Sequence, residues 1–284
     1  MPILIIASLV LREIVRRRLA AAILLMTGVL MVLSAWGFLK ITHVNDSSGH
    51  PLSTFTIVTI ASVLTLMMAF MFTVILALGA AFLGTSLVGT EIENGLMLAV
   101  LPRPLGRSQL LIGKWLGASC VLIFYGLLAA AAELGIIKSF TGYSPPHPIA
   151  GLAFLLAQVL AVLTLTIALS VKFAPITAGF ITVVAFGLAW VDGIIHVVAV
   201  TVNNTALAHA TLALTLLIPT DGLWRGAIYN LAPAAMLAAS ASTPGSMGPF
   251  SVAGPPVPAY LLWCAFWIVA VLATGITLFR TRDV

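Results

Sequence analysis

Glu133, Asp192 and His196 are the side chains best placed to do chemistry, because each sits within or at the edge of a long apolar stretch. An ionisable group at membrane depth is costly, so its default reading is functional: an ion path, a proton relay or the lining of a route. His196 follows Asp192 by four residues, so both would share one helical face and could pair. Counting about 1.5 Å of rise per residue places Glu133 and Asp192 past the midplane, toward the outer side of a membrane. Two readings stay open: a polar lining of an outer vestibule, or a local Asp-His pair shielded by neighbouring helices. Glu91, Glu93, Arg103, Arg107 and Lys114 form a different group, gathered in a compact polar stretch between apolar ones. Their chemistry would be docking.

The elements that position these groups follow from composition. The 284 residues carry 13 Lys or Arg and 8 Asp or Glu, 7% of the chain, against roughly 25% in a soluble domain. Hydrophobic residues make up 61%. A helix of about 20 apolar residues crosses a hydrocarbon core of roughly 30 Å, and in lipid each segment must satisfy its own backbone polar groups. The uncharged runs therefore predict an all-α integral membrane protein with six transmembrane helices, near 19–39, 57–87, 109–137, 149–171, 174–201 and 259–279. An ordinary soluble enzyme is excluded. The chain opens MPILIIASLVL before its first arginines, the reverse of a signal peptide, so the first span is expected to be retained. Cys120 and Cys264 fall inside spans among apolar neighbours and read as inert core thiols.

Lys and Arg fix the orientation. With the N-terminus in the cytoplasm, Arg12, Arg16, Arg17, Arg18, Arg103, Arg107, Lys114, Lys172, Arg280 and Arg282 lie inside, leaving Lys40, Lys138 and Arg225 outside. Both termini are then cytoplasmic, and the net charge of +5 is mainly an orientation signal and a contact with anionic lipid. No nucleic-acid partner is expected.

Residues 3–18 place Ile3, Ile6, Val10 and Ile14 at helical spacing, predicting an N-terminal interfacial elbow helix. The second span is long enough to tilt or project, and Gly79, Gly84 and Gly89 would permit close packing or a bend along its inner half. The apolar stretch 206–218 is too short to cross and ends at Pro219, which predicts half of a re-entrant or interfacial hairpin. Beyond it, Asp221, Trp224, Arg225 and Tyr229 suggest a short interfacial helix with its aromatic rings at headgroup level. Residues 232–258, rich in Ala, Ser, Gly and Pro, read as a flexible cap or loop. Ser108 is the expected N-cap of the third span.

The stretch GTEIENGLMLAVLPRPLGRSQLLIGKWLG, 89–117, is the most informative. Glu91, Glu93 and Asn94 open a short amphipathic helix, and Pro102 and Pro104 force a turn before the next span. On Glu91, Glu93, Gly95, Leu101, Pro102, Arg107, Gly113 and Lys114, and on IPTDGLWRGAIYNL (218–231) and the terminal FRTRDV, the chain resembles the permease subunits of ABC type-2 exporters. The resemblance implies one transmembrane permease domain over 1–284, with an elbow at 1–18, a cytoplasmic coupling helix in the 88–108 loop, and re-entrant or interfacial outer helices within 202–258. It implies coupling to the ATPase through Glu91, Glu93, Gly95, Pro102, Arg103, Arg107 and Lys114, and outer helices carrying Asp221, Trp224 and Arg225 that close the exit; with the ionisable Glu133, Asp192 and His196, these are the expected translocation path or outer gate. Implied partners are an ABC ATPase subunit in two copies, carrying ATP and Mg, a second and identical permease chain, and the bilayer of the inner plasma membrane.

The chain itself carries no phosphate-binding loop, since Gly113-Lys114 is followed by Trp115 rather than Ser or Thr. Neither a metal motif nor a nucleophile motif is present, so no enzymatic activity, cofactor or metal is expected in this chain. The rival reading is an ion-coupled secondary transporter or channel using Glu133, Asp192 and His196. Against it stands the lack of an internal repeat.

Overall fold

A computed structural model describes residues 2–16, 18–44, 53–93, 106–243, 245, 248–252 and 254–281. Gly95, Pro102, Arg103 and the rest of 94–105 lie outside the described residues, as does Arg282 with the terminus. Among the described residues every regular element is helical. The helices are α1 (Pro2–Arg16), α2 (Arg18–Thr42), α3 (Thr54–Gly84), α4 (Arg107–Thr141), α5 (Pro148–Lys172), α6 (Pro175–Thr201), α7 (Thr205–Leu217), α8 (Thr220–Leu231), α9 (Ala234–Ser242) and α10 (Pro258–Thr281). Six are long and apolar enough to cross a bilayer: α2, α3 with its extension, α4, α5, α6 and α10. They coincide with the six expected spans.

α3 and α5 form the centre, with 56% and 50% of their most apolar stretches buried, against 11% in α10. The outer helices thus turn apolar side chains such as Leu25, Val32, Trp36, Leu262 and Phe266 outward, a surface suited to lipid and not to water. One core joins Val10, Leu76, Leu87, Leu111, Leu163, Ile167 and Phe279. A second gathers Leu66, Leu155, Trp224, Ile228, Leu231 and Met236 at the opposite end.

α3 does not stop at Gly84. It continues through a π-helical turn, Thr85–Gly89, into Thr90–Glu93, one continuous 38-residue span from Thr56. The cause is local. Thr85 and Ser86 hydroxyls donate back to the carbonyls of Phe82 and Leu83, and the Thr90 N–H reaches Thr85 five residues back. A Cβ on Gly84 would come within 2.9 Å of Thr166, so its absence lets α5 approach closely.

α1 lies against the start of α4. Gly113 and Gly117, four residues apart, make this possible: a Cβ at Gly113 would stand 2.8 Å from Ile6, and one at Gly117 2.9 Å from the Ala7 carbonyl. Ile6, Val10 and Ile14 are buried in that contact while Leu4, Ile5 and Leu9 are exposed.

Three local expectations are corrected. α4 begins at Arg107 with Gly106 as N-cap, and Gln109 rather than Ser108 serves the cap by accepting the Gly106 N–H at 3.4 Å. Residues 234–242 are helical rather than loop, because an alanine-rich run after Pro233 favours helix, and Met236 and Ser240 are buried. Trp224 is 2% exposed, packed against Phe70 and Phe250 rather than placed at a headgroup boundary.

Candidate functional site

Apart from Glu133, the expected site residues among those described separate into two clusters at opposite ends of the bundle. At the first end, the π turn carries Glu91 back over the start of α4, where the Lys114 ammonium pairs with its carboxylate and also donates to the Leu87 carbonyl at 2.6 Å. Lys114 is 4% exposed. A buried lysine needs such partners, because an unpaired charge removed from water costs several kcal/mol, on the order of the desolvation penalty. The ion pair fastens the end of the second span to the beginning of the third. Arg107, at the first turn of α4, donates to the carbonyls of Phe279 (3.4 Å) and Arg280 (3.1 Å), so it caps the C-terminus of α10. Gly89 lies against Pro175, the first residue of α6. Four spans therefore meet at the root of the 94–105 segment. Glu93 is exposed there.

The second cluster is built on the bent pair α7–α8. Pro219 has no N–H to continue a helix and holds Ile218 extended (φ −129°), so the chain turns by 96° between the two. Asp221 sits in the first turn of α8, and Arg225, four residues on, donates to it through Nε at 2.7 Å. The same guanidinium donates to the Ser251 carbonyl at 3.3 Å and to the Gly193 carbonyl of α6. Gly193 can hold no side chain, since a Cβ would overlap the Asp221 carboxylate. One planar fork thus ties α6, α8 and the 248–252 turn together.

Asp192 and His196 do share a face of α6, but each reaches across to α7 rather than being hydrogen-bonded to the other. Asp192 Oδ2 accepts from Thr215 at 3.0 Å, and His196 Nδ1 lies 2.8 Å from the Thr211 hydroxyl. Two four-residue spacings on antiparallel helices mesh as a ladder. Thr211 and Thr215 were the signal that sequence reasoning missed, two hydroxyls one helical turn apart on a largely apolar helix.

Glu133 stands apart from both clusters. Ser34 of α2 donates to one carboxyl oxygen, and the group lines a small cavity of about 50 Å³ with Thr65, Phe72 and Leu155. Nearby, burial pushes the Tyr143 hydroxyl up to about 12 while it donates to the Leu231 carbonyl at 3.2 Å.

The break at Pro219 also frees carbonyls at the end of α7, and α10 meets them. Tyr260 donates to Pro219, Trp263 to Leu216 and Trp267 to Leu217, each at 2.9 Å. These donors lie on one face of a helix and satisfy acceptors that lipid could not. Trp263→Phe and Trp267→Phe keep the ring and delete the donor, so each is expected to cost about 1 kcal/mol of stability. Thermal midpoints in lipid nanodiscs equal to the parent for both variants would refute the capping role.

Comparison with curated proteins returns no match. The profile described as ABC-2 family transporter protein matches residues 4–284, so this chain belongs to the ABC-2 family, whose members are membrane permeases of ABC transporters.

Proposed function

We propose that the chain is the permease half of an ATP-driven exporter, moved by a separate ABC ATPase that docks on the loop between the second and third spans. The observation that carries this reading is the root of that loop: Lys114 ties Glu91 to α4, and Arg107 ties α4 to α10. A push on 94–105 is thereby delivered to several spans at once instead of being absorbed by a slack connection. Glu93, exposed beside the segment, is free to meet a basic partner surface. Two permease chains and two ATPases, with ATP and Mg on the latter, complete the assembly in the inner membrane, with both termini cytoplasmic. The cluster of Asp192, His196, Asp221, Trp224 and Arg225 then stands at the outer end, where the joined α6, α7 and α8 close the exit. The ion-coupled alternative finds less support, because Glu133 faces one cavity and His196 another.

The test is co-purification of the tagged chain with an ABC ATPase co-expressed with it. Recovery of the ATPase is expected with the parent and loss of at least about tenfold with Glu93→Lys or Pro102→Gly, since about 1.4 kcal/mol corresponds to that factor. Transport by the isolated chain in vesicles without ATP would sink the proposal.

A further inference from the structure

Buried threonine hydroxyls in this fold are mostly satisfied by their own helix: Thr65, Thr164, Thr166 and Thr182 each donate to the carbonyl four residues back. Thr73 of α3 does not. Its hydroxyl, the Gln158 amide oxygen of α5, and the Thr220 hydroxyl and Trp224 indole N–H of α8 are buried and make no hydrogen bond among the described residues. The four side chains are between 1% and 3% exposed, so bulk water does not serve them. They are not scattered. All four line one cavity of about 10 Å³, walled otherwise by Phe70 of α3, Phe186 and Trp190 of α6, and Asp221 of α8. Three helices thus bring orphaned polar side chains to one small space. Burying a polar atom without a partner is costly, and four around one cavity point to a shared partner.

The inventory of donors and acceptors identifies that partner. The indole N–H can only donate and the amide oxygen can only accept, while each hydroxyl does either. A metal ion or an ammonium group would meet the indole N–H, donor against cation, and an anion would meet the amide oxygen and the Asp221 carboxylate. An apolar group would leave all four atoms unserved. A water molecule accepts from the indole, donates to the amide oxygen, and has one hydrogen and one lone pair left for the two hydroxyls. The space agrees, since one water needs roughly 10–15 Å³. We propose that the cavity is a hydration site holding one water between α3, α5 and α8, bound by Thr73, Gln158, Thr220 and Trp224. Asp221 stays with Arg225. The water joins α8, which the Arg225 fork ties to α6, to the two helices at the centre of the bundle. The site does not depend on the transport reading.

The test is X-ray hydroxyl-radical labelling of the full chain in lipid nanodiscs, in which a buried side chain is oxidised when a water is held against it. Each rate is normalised to that of the same residue in the unfolded chain. Trp224 is expected to be labelled although it is buried, while Phe38 and Phe279, both 0% exposed, stay unlabelled. Gln158→Met, close in length and without the acceptor, is expected to lower Trp224 labelling about fivefold, the equilibrium factor of one hydrogen bond. Thr73→Val keeps the shape of the site and is expected to do the same; if Gln158→Met does not fold, Thr73→Val decides alone. Trp224 labelled no faster than the two phenylalanines, or labelling unchanged in Thr73→Val, would overturn the proposal. A thermal midpoint raised by sodium over choline at equal ionic strength would overturn it too, by placing a cation in the cavity.

Discussion

Lys114→Met is expected to destabilise the protein by about 3 kcal/mol, because it strands the partly buried Glu91 carboxylate without its cation. Glu91 retains 20% side-chain exposure, so its loss is smaller than for a fully enclosed charge. The diagnostic comparison is with Glu91→Gln combined with Lys114→Met. Removing both charges removes the desolvation cost as well, so the double variant should regain most of the stability lost by the single one. Denaturation midpoints in nanodiscs read the difference. If the pair is also the mechanical link between the second and third spans, the double variant should remain stable while transport falls, since a neutral pair packs but does not hold the π turn against load. A double variant no more stable than Lys114→Met would show that the ammonium matters for something other than the carboxylate.

Arg225→Ala should cost a comparable amount, about 3 to 5 kcal/mol, by leaving Asp221 buried with no cation and by untying Gly193 of α6 and Ser251 from α8. Asp221 keeps 5% of its side-chain surface, so water cannot compensate. Arg225→Lys retains the charge but not the fork. One ammonium on a flexible stem cannot reach three acceptors on three segments, so it should recover less than half of the loss. Equal midpoints for Arg225→Lys and the parent would reduce the cluster to a simple ion pair. Thr215→Val tests the neighbouring ladder and should have the smaller effect of one hydrogen bond, about 1 kcal/mol.

The pattern that carries the family, from Glu91 through Pro102 to Lys114, was legible because proline, glycine and charge stand out against an apolar background. What Lys114 does was not legible. Its partner lies 23 positions back, on the far side of the 94–105 segment, and only the π turn swings Glu91 into reach. The same limit applies to Trp224. Tryptophan in a membrane chain favours the interface by its amphipathic ring, yet the 96° bend points this one into the bundle against Phe70.

The amino-acid sequence by itself determined the six spans, a separate helix ahead of the first of them, and the break at Pro219. Each depends on short-range physics: run length against bilayer thickness, missing donors at proline, and the cost of charge in lipid. Tertiary structure alone decided which polar groups meet. Asp192 with Thr215, Glu133 with Ser34, Arg225 with Gly193, and the α10 indoles with the α7 carbonyls are joined across helices whose rotation and depth come from close packing at Gly84, Gly113 and Gly193. Burying a polar atom away from water is costly without a partner, so the sequence determined which groups would need one, and the packing determined which of them meet.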